Sequence, residues 1–364
     1  MHDELRALMP EERPIWDAYV NRHPAAGPYH RTAWLEAVRR AYGFSSVPLS
    51  LWRKGALVGV MPLVRHAVPG RNPVFTSLPF CDFGDALADS LELVVKLRAH
   101  ALELARGAGC ALELRRPVDN REEGTHGVAA LDEDEQTAHG AETDPQKVLM
   151  RLPLATTSEV LWQSFRSKLR NQVNRPVKKG MACRIGGAEL IEPFYGIYAR
   201  NMRDLGSPPH ARTWFEEVAA GYGDDARVFV VYQASGLPVA ASVLLLNGTS
   251  ATVPWSSSLR EWNAQCPNML LYWSMLEYAA QNGYGLFDFG RSTPGEGTYR
   301  FKAQWGAEPV ALRWERHSPD GSMDVATGSG KGSASRRWAV ACWQRLPVAV
   351  STLAGSVLRR YISL

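Results

Sequence analysis

The stretch LFDFGRSTPGEGTYRFKAQWG, residues 286–306, decides how the chain is read. Leu286, Phe287 and Phe289 predict a short buried strand, and Asp288, Arg291, Arg300 and Lys302 gather at its end and in the loop beyond. A rigid sheet holds side chains firmly at strand ends, so α/β proteins commonly carry chemistry there. Gly290, Gly295 and Gly297 allow a tight turn, after which Tyr299, Phe301 and Trp305 resume an apolar pattern. That alternation predicts a further strand with Lys302 on the face opposite Phe301, the aromatics being either sheet core or the wall of a ligand site. A lysine beside aromatic walls suits an anionic ligand.

Outward from this stretch the order of elements is mixed α and β. Residues 12–42 read as helical, PLSLWRKGALVGVMPLV as a hairpin turning at Lys54-Gly55, residues 90–109 as a helix closed by glycine, and KVLMRLPL as a strand. SEVLWQSFRSKLRNQVNRPVKKGM predicts one helix with a basic face, interrupted at Pro176. Then come two helices (189–206 and 213–223), three strands (RVFVVYQ, LPVAASVLLLN and TSATVPWSSSL) and an apolar helix ended by Asn282-Gly283. Pro254 inside TSATVPWSSSL predicts a bulge, since a central strand cannot readily lose an amide.

Composition bounds the rest. With 364 residues, 45% hydrophobic and twelve tryptophans, the chain can bury a full core and is long enough for two domains. The expected division is 1–155 and 156–318, with an acidic flexible insertion at 119–146, a Gly/Ser linker at 319–335 and a basic amphipathic tail at 336–364. A net charge of +4 is too mild to demand nucleic acid, so charge is a local argument. The five cysteines are scattered, without a CxxC pair or a histidine at metal spacing, so neither a disulfide framework nor a metal site is expected. No nucleophile elbow or Ser-His-Asp order occurs, which ranks hydrolases low. The N-terminus lacks the apolar run of a signal peptide, and a cytoplasmic protein is expected. The tail, with arginines at both flanks, suits either a lipid interface or packing on the body, so a peripheral position at the inner face of the membrane stays open.

The segments DFGRSTPGEGTYRFKAQWG, NMRDLGSPPHARTWF (201–215), SKLRNQVNRPVKKG (167–180) and TSLPFCDFGD (76–85) resemble the FemAB-like branch of the GNAT acyltransferase superfamily, most closely its members linked to exosortase (PEP-CTERM) and exopolysaccharide loci. The resemblance spans roughly residues 30–315. It implies two tandem GNAT-like domains, each with a mixed, mostly antiparallel sheet flanked by helices, transferring an acyl or aminoacyl group to an amine of an envelope precursor. No permanently bound cofactor is implied; the donor is aminoacyl-tRNA, or acyl-CoA or an acyl carrier protein. CoA-dependent relatives carry a glycine-rich pyrophosphate loop before the helix that follows the bulged strand, and here that junction reads SSLREWNAQCPNML, without the glycines.

Acyl transfer needs a positioned carbonyl, a neutral amine and donors aimed at the developing oxyanion. Lys302 is the electrostatic candidate and Asp288 the candidate base, although Asp288 can equally pair with Arg291 and fix the loop. Trp255 and Ser256 follow the expected bulge and could offer backbone donors. Arg291, Tyr299, Arg300, Arg203 and Arg170 complete the candidate substrate-binding set. The basic face of Arg166, Lys168, Arg170, Arg175, Lys178 and Lys179 is either a solvated surface or a site for tRNA or a phosphorylated precursor. A non-catalytic GNAT-fold protein that binds an anionic envelope glycan is the reading of another class.

Overall fold

The computed structural model describes residues 3–118, 147–325 and 334–362. The expected acidic insertion at 119–146, and residues 326–333 of the expected linker, lie outside the described residues. The first half runs β1 (Asp3–Ala7), α1 (Arg13–Arg22), α2 (Thr32–Tyr42), β2 (Ser45–Ser46), β3 (Leu49–Arg53), β4 (Ala56–Met61), β5 (Val64–His66), β6 (Val74–Thr76), β7 (Leu87–Ala88), α3 (Leu91–Gly107) and β8 (Ala111–Pro117). Next come β9 (Val148–Pro153), α4 (Ser158–Ser164), α5 (Ser167–Lys178), β10 (Ala182–Gly186), α6 (Ile191–Asp204) and α7 (Arg212–Tyr222). They are followed by β11 (Ala226–Tyr232), β12 (Pro238–Asn247), β13 (Ser250–Ser258), α8 (Pro267–Gln281), β14 (Leu286–Ser292), α9 (Gly297–Ala303), β15 (Glu308–His317) and β16 (Met323–Val325). Two tail helices, α10 (Ala334–Gln344) and α11 (Val348–Leu358), end the chain.

The expected mixed α/β architecture is present, with one feature the sequence did not signal. The sheets of the two halves are fused into one of twelve strands, ordered β10-β11-β12-β13-β14-β9-β15-β8-β6-β5-β2 with β16 beside β15. The join is β15, whose first residues pair with β9 (Val310 with Leu149) and whose last pair with β8 (Glu315 with Leu114). A separate four-stranded sheet, β1-β3-β4-β7, packs under α3. Its β3–β4 hairpin turns where expected, because Lys54 and Gly55 both take left-handed φ values of 52° and 78°, as a two-residue turn between right-twisted strands requires.

Two differences from the sequence reading have local causes. The single helix expected over 158–181 is broken, because Phe165 is extended and drives its ring against Trp305 at 5.4 Å, while Pro176 is accommodated inside α5. The strand expected over 299–305 is helix α9, which starts from an extended Glu296 beside Gly297. Phe301 thus lies in α9 and meets Trp305, in the turn just beyond the helix, edge-on at 6.4 Å, rather than alternating with it along a strand.

Aromatic packing seals the seam between the halves. Trp34 of α2 is fully buried, meets Trp214 of α7 edge-on at 5.0 Å and stacks on Trp255 of β13 at 5.9 Å. Small residues let the two helices approach, since a Cβ on Gly221 would sit 3.3 Å from that of Ala33. Removing the indole leaves a cavity on both sides of this seam, so Trp34→Ala is expected to cost about 3–5 kcal/mol. Urea denaturation monitored by circular dichroism measures that loss.

Candidate active site

β13 and β14 pair in parallel only from Ser250–Leu286 to Thr252–Asp288, and then part. On the β12 side, Val243 faces Trp255 and Leu245 faces Thr252, so Val253 and Pro254 oppose a single residue; this is the bulge expected at the proline. On the β14 side, the pairing with β9 shifts between Asp288 and Arg291 around Gly290, whose φ of 74° is left-handed. A side chain at Gly290 would put its Cβ 3.0 Å from the Val253 carbonyl oxygen, so glycine answers both the backbone angle and the close approach.

Charged side chains converge on this parting. Lys302 of α9 is 7% exposed, and its Nζ donates to the carbonyls of Gly290 at 3.0 Å and Arg291 at 2.8 Å. An ammonium has three donors, so one remains for a ligand. Burial pulls the Lys302 pKa down to about 8, against the upward pull of the Asp82 and Asp288 carboxylates. Asp288 is buried; it accepts from the Gly290 amide at 2.8 Å and from Arg151 Nε at 2.9 Å. Asp82 reaches in from the first half, accepting the Arg291 amide at 3.1 Å and facing Arg291 Nε at 3.4 Å. Arg291 lies over the Trp314 ring at 5.2 Å, and that indole donates to the Asp82 carbonyl.

The pairing weighed from sequence is therefore corrected: Asp288 is held by Arg151, and Arg291 by Asp82. Asp82, Arg151 and Trp314 were missed, although the sequence carried signals for the first two. Asp82 sits in the quoted TSLPFCDFGD, and Arg151 is a lone charge within the apolar strand VLMRLP.

The other candidate residues are dispersed. Trp255 belongs to the aromatic seam, against Phe215 at 5.0 Å as well as Trp34. Ser256 lies beside the Tyr272 hydroxyl of α8. Tyr299 packs on the core between sheet and α8, and Arg300 is exposed on α9. Arg203 is spent on Asp204 at 2.6 Å and on the Leu346 carbonyl of the tail at 3.2 Å. Arg170 is half-buried on α5, whose basic residues have no ion-pair partner among the described residues. Beside that helix lies a cleft of about 760 Å³ lined by Arg166, Lys168, Gln172, Phe165 and Trp305.

His210 is fully enclosed and its pKa lies well below the ordinary value, chiefly through burial and then through Arg359. Arg359 Nε donates to its Nε2 at 3.1 Å, so the proton of the neutral ring sits on Nδ1 against the Tyr42 hydroxyl.

Comparison with known proteins bears on the fold. Residues 163–303 match the family described as acetyltransferase (GNAT) domain. Among solved structures the chain is similar to FemX, at 17% identity over 85% of this chain and 95% of that one, with a TM-score of 0.67. It is also similar to the C-terminal domain of a putative lysylphosphatidylglycerol synthetase from Agrobacterium fabrum, at 14% identity over 83% and 90% of the chains with a TM-score of 0.54. A tandem GNAT protein from the clavulanic acid biosynthesis pathway is similar at 16% identity over 91% and 100%, with a TM-score of 0.51. No curated protein matches in sequence. The chain has the fold of FemX and tandem GNAT proteins, and its residues 163–303 resemble the GNAT acetyltransferase domain.

Proposed function

We propose that the chain is a FemAB-type N-acyltransferase that moves an acyl or aminoacyl group onto an amine of a cell-envelope or exopolysaccharide precursor. The observation that carries this reading is the buried Lys302 ammonium at the parting of β13 and β14, with one donor unspent. In a water-poor site such a donor stabilises the oxyanion that forms when an amine attacks an acyl carbonyl. The attack forms the C–N bond, the C–O or C–S bond of the donor breaks with its electron pair going to the leaving oxygen or sulfur, and the proton shed by the amine passes to that leaving atom. Asp288 already accepts two hydrogen bonds, which favours a positioning role: it holds the Gly290 turn whose carbonyl binds Lys302.

The donor proposed is aminoacyl-tRNA. Four basic residues on α5 and one at each of its ends, Arg166 and Lys179, lack carboxylate partners among the described residues; Arg166 and Lys168 line a cleft with Phe165 and Trp305 in its wall, which suits the phosphates and terminal base of an RNA acceptor end. The matched domain is described as an acetyltransferase, so acyl-CoA and acyl carrier protein are the rival donors. Radiolabel transfer to an amino-sugar acceptor, run with each donor class separately, decides between them; transfer from a CoA thioester alone refutes the tRNA reading. No transfer from any donor, with an anionic glycan still bound, supports the non-catalytic alternative.

Lys302→Ala is expected to lower kcat about 10²–10³-fold, the cost of removing one oxyanion donor, with substrate binding retained. Single-turnover kinetics alongside equilibrium binding measures both, and equal loss of binding and turnover would contradict the role.

The pH dependence separates charge loss from unfolding. The folded chain releases the Lys302 proton near pH 8 and the unfolded chain only near 10.5. The unfolded state thus binds more protons in that window, so this group's contribution to stability rises with pH there. Activity that needs the ammonium falls through pH 8 while that contribution improves. Lys302→Arg, if it retains activity, shifts the fall to higher pH because a guanidinium stays charged; pH–rate profiles paired with melting curves show both.

A further inference from the structure

The tail helices are built inside out. Ser351 and Gly355 of α11 face the body, Ser351 fully buried and Gly355 pressed on Pro209. At 3.6 residues per turn Leu353 lies about 200° around the helix from Ser351. It is 74% exposed, and Val350 and Val357, one turn to either side, are exposed with it. In α10 the pattern repeats: Val340 packs on Gly206, while Trp338, about 200° away, is 71% exposed. A water-facing helix pair would turn its large apolar residues inward and its small ones outward.

What covers this face is indicated by charge. Residues 334–362 contain five arginines and no carboxylate. Arg337 and Arg345 are exposed beside the apolar stripe. A second copy of the chain would bring these arginines against their own counterparts across a two-fold axis. An anionic bilayer surface neutralises them instead and takes the apolar stripe into its headgroup boundary. Each helix has 11 residues, about 16 Å in length, against a hydrocarbon core of about 30 Å. No helix among the described residues is long and apolar enough to cross a membrane.

We propose that α10 and α11 form a platform that docks on the surface of an anionic phospholipid bilayer through Trp338, Val350, Leu353 and Val357, flanked by Arg337 and Arg345. Docking is read without turnover, so it stands or falls apart from the acyl-transfer reading. The test is flotation of the full chain with vesicles of phosphatidylglycerol and phosphatidylcholine in equal parts, and with phosphatidylcholine alone. The full chain floats with the anionic vesicles, and partitioning falls about tenfold or more in neutral vesicles or high salt. Trp338→Ala with Leu353→Asp loses about as much, at an unchanged melting temperature because both sites are exposed. Arg337→Glu with Arg345→Glu weakens binding to the anionic vesicles alone. The proposal is overturned if the chain stays unbound with anionic vesicles, or if the apolar double variant still floats. It is equally overturned by a dimer in light scattering that Trp338→Ala with Leu353→Asp dissolves.

Discussion

The site depends on β13 and β14 ceasing to pair after Thr252 and Asp288. Two backbone events enforce the separation: the extra residue at Val253–Pro254, where proline offers no amide, and the left-handed turn at Gly290. Parting strands strip backbone groups of their ladder partners, and buried backbone groups cannot be left unpaired. Here side chains replace the ladder. Asp288 takes the Gly290 amide, Asp82 the Arg291 amide, and Lys302 both carbonyls. The charged cluster is thus a structural repair of the parted ladder.

That repair also ties distant parts of the chain together. Asp82 comes from the first half, Arg151 from β9, Asp288 and Arg291 from β14, and Lys302 from α9. Two carboxylates therefore meet three cations, Arg151, Arg291 and Lys302, an excess of one positive charge in a low-dielectric place. Of the three cations only Lys302 is buried, and buried charge is costly unless something compensates it; under the proposed acyl transfer a developing oxyanion would do so. The fused sheet keeps this arrangement rigid, because β9 and β15 lie directly beside β14 and carry the ladder into the first half.

Much of the fold was legible because its signals are local: Lys54-Gly55 for the hairpin, Pro254 for the bulge, and the apolar run 269–281 for α8. The misread segment was 299–305. Tyr299, Phe301 and Trp305 satisfy a period of two, but Phe301 and Trp305 also satisfy i, i+4, and seven residues do not separate the periods. Lys302 and Asp288 were visible as charges at a strand end. Their partners were not, because Asp82 and Arg151 are more than a hundred residues away in sequence and nothing local specifies which carboxylate meets which guanidinium. The fusion of the two sheets was hidden for the same reason: strand order is a tertiary property that β15 acquires by having two neighbours.

The tail presented two readings that the structure makes compatible. Packing on the body and facing a lipid surface compete only if one helix face must do both, and here opposite faces are available. The inward face is small, so Gly206 and Gly355 admit Val340 and Pro209 at contacts no side chain would allow. The last residues then reach the seam. Arg359 binds His210 of the second half, Arg360 Nη2 donates to the Tyr42 carbonyl of the first at 2.8 Å, and the Arg360 carbonyl meets His66 at 2.9 Å. The outer face of α11 is thus one turn of chain from contacts with both halves, and His210 in turn lies 6.3 Å from the Trp255 ring beside the bulge.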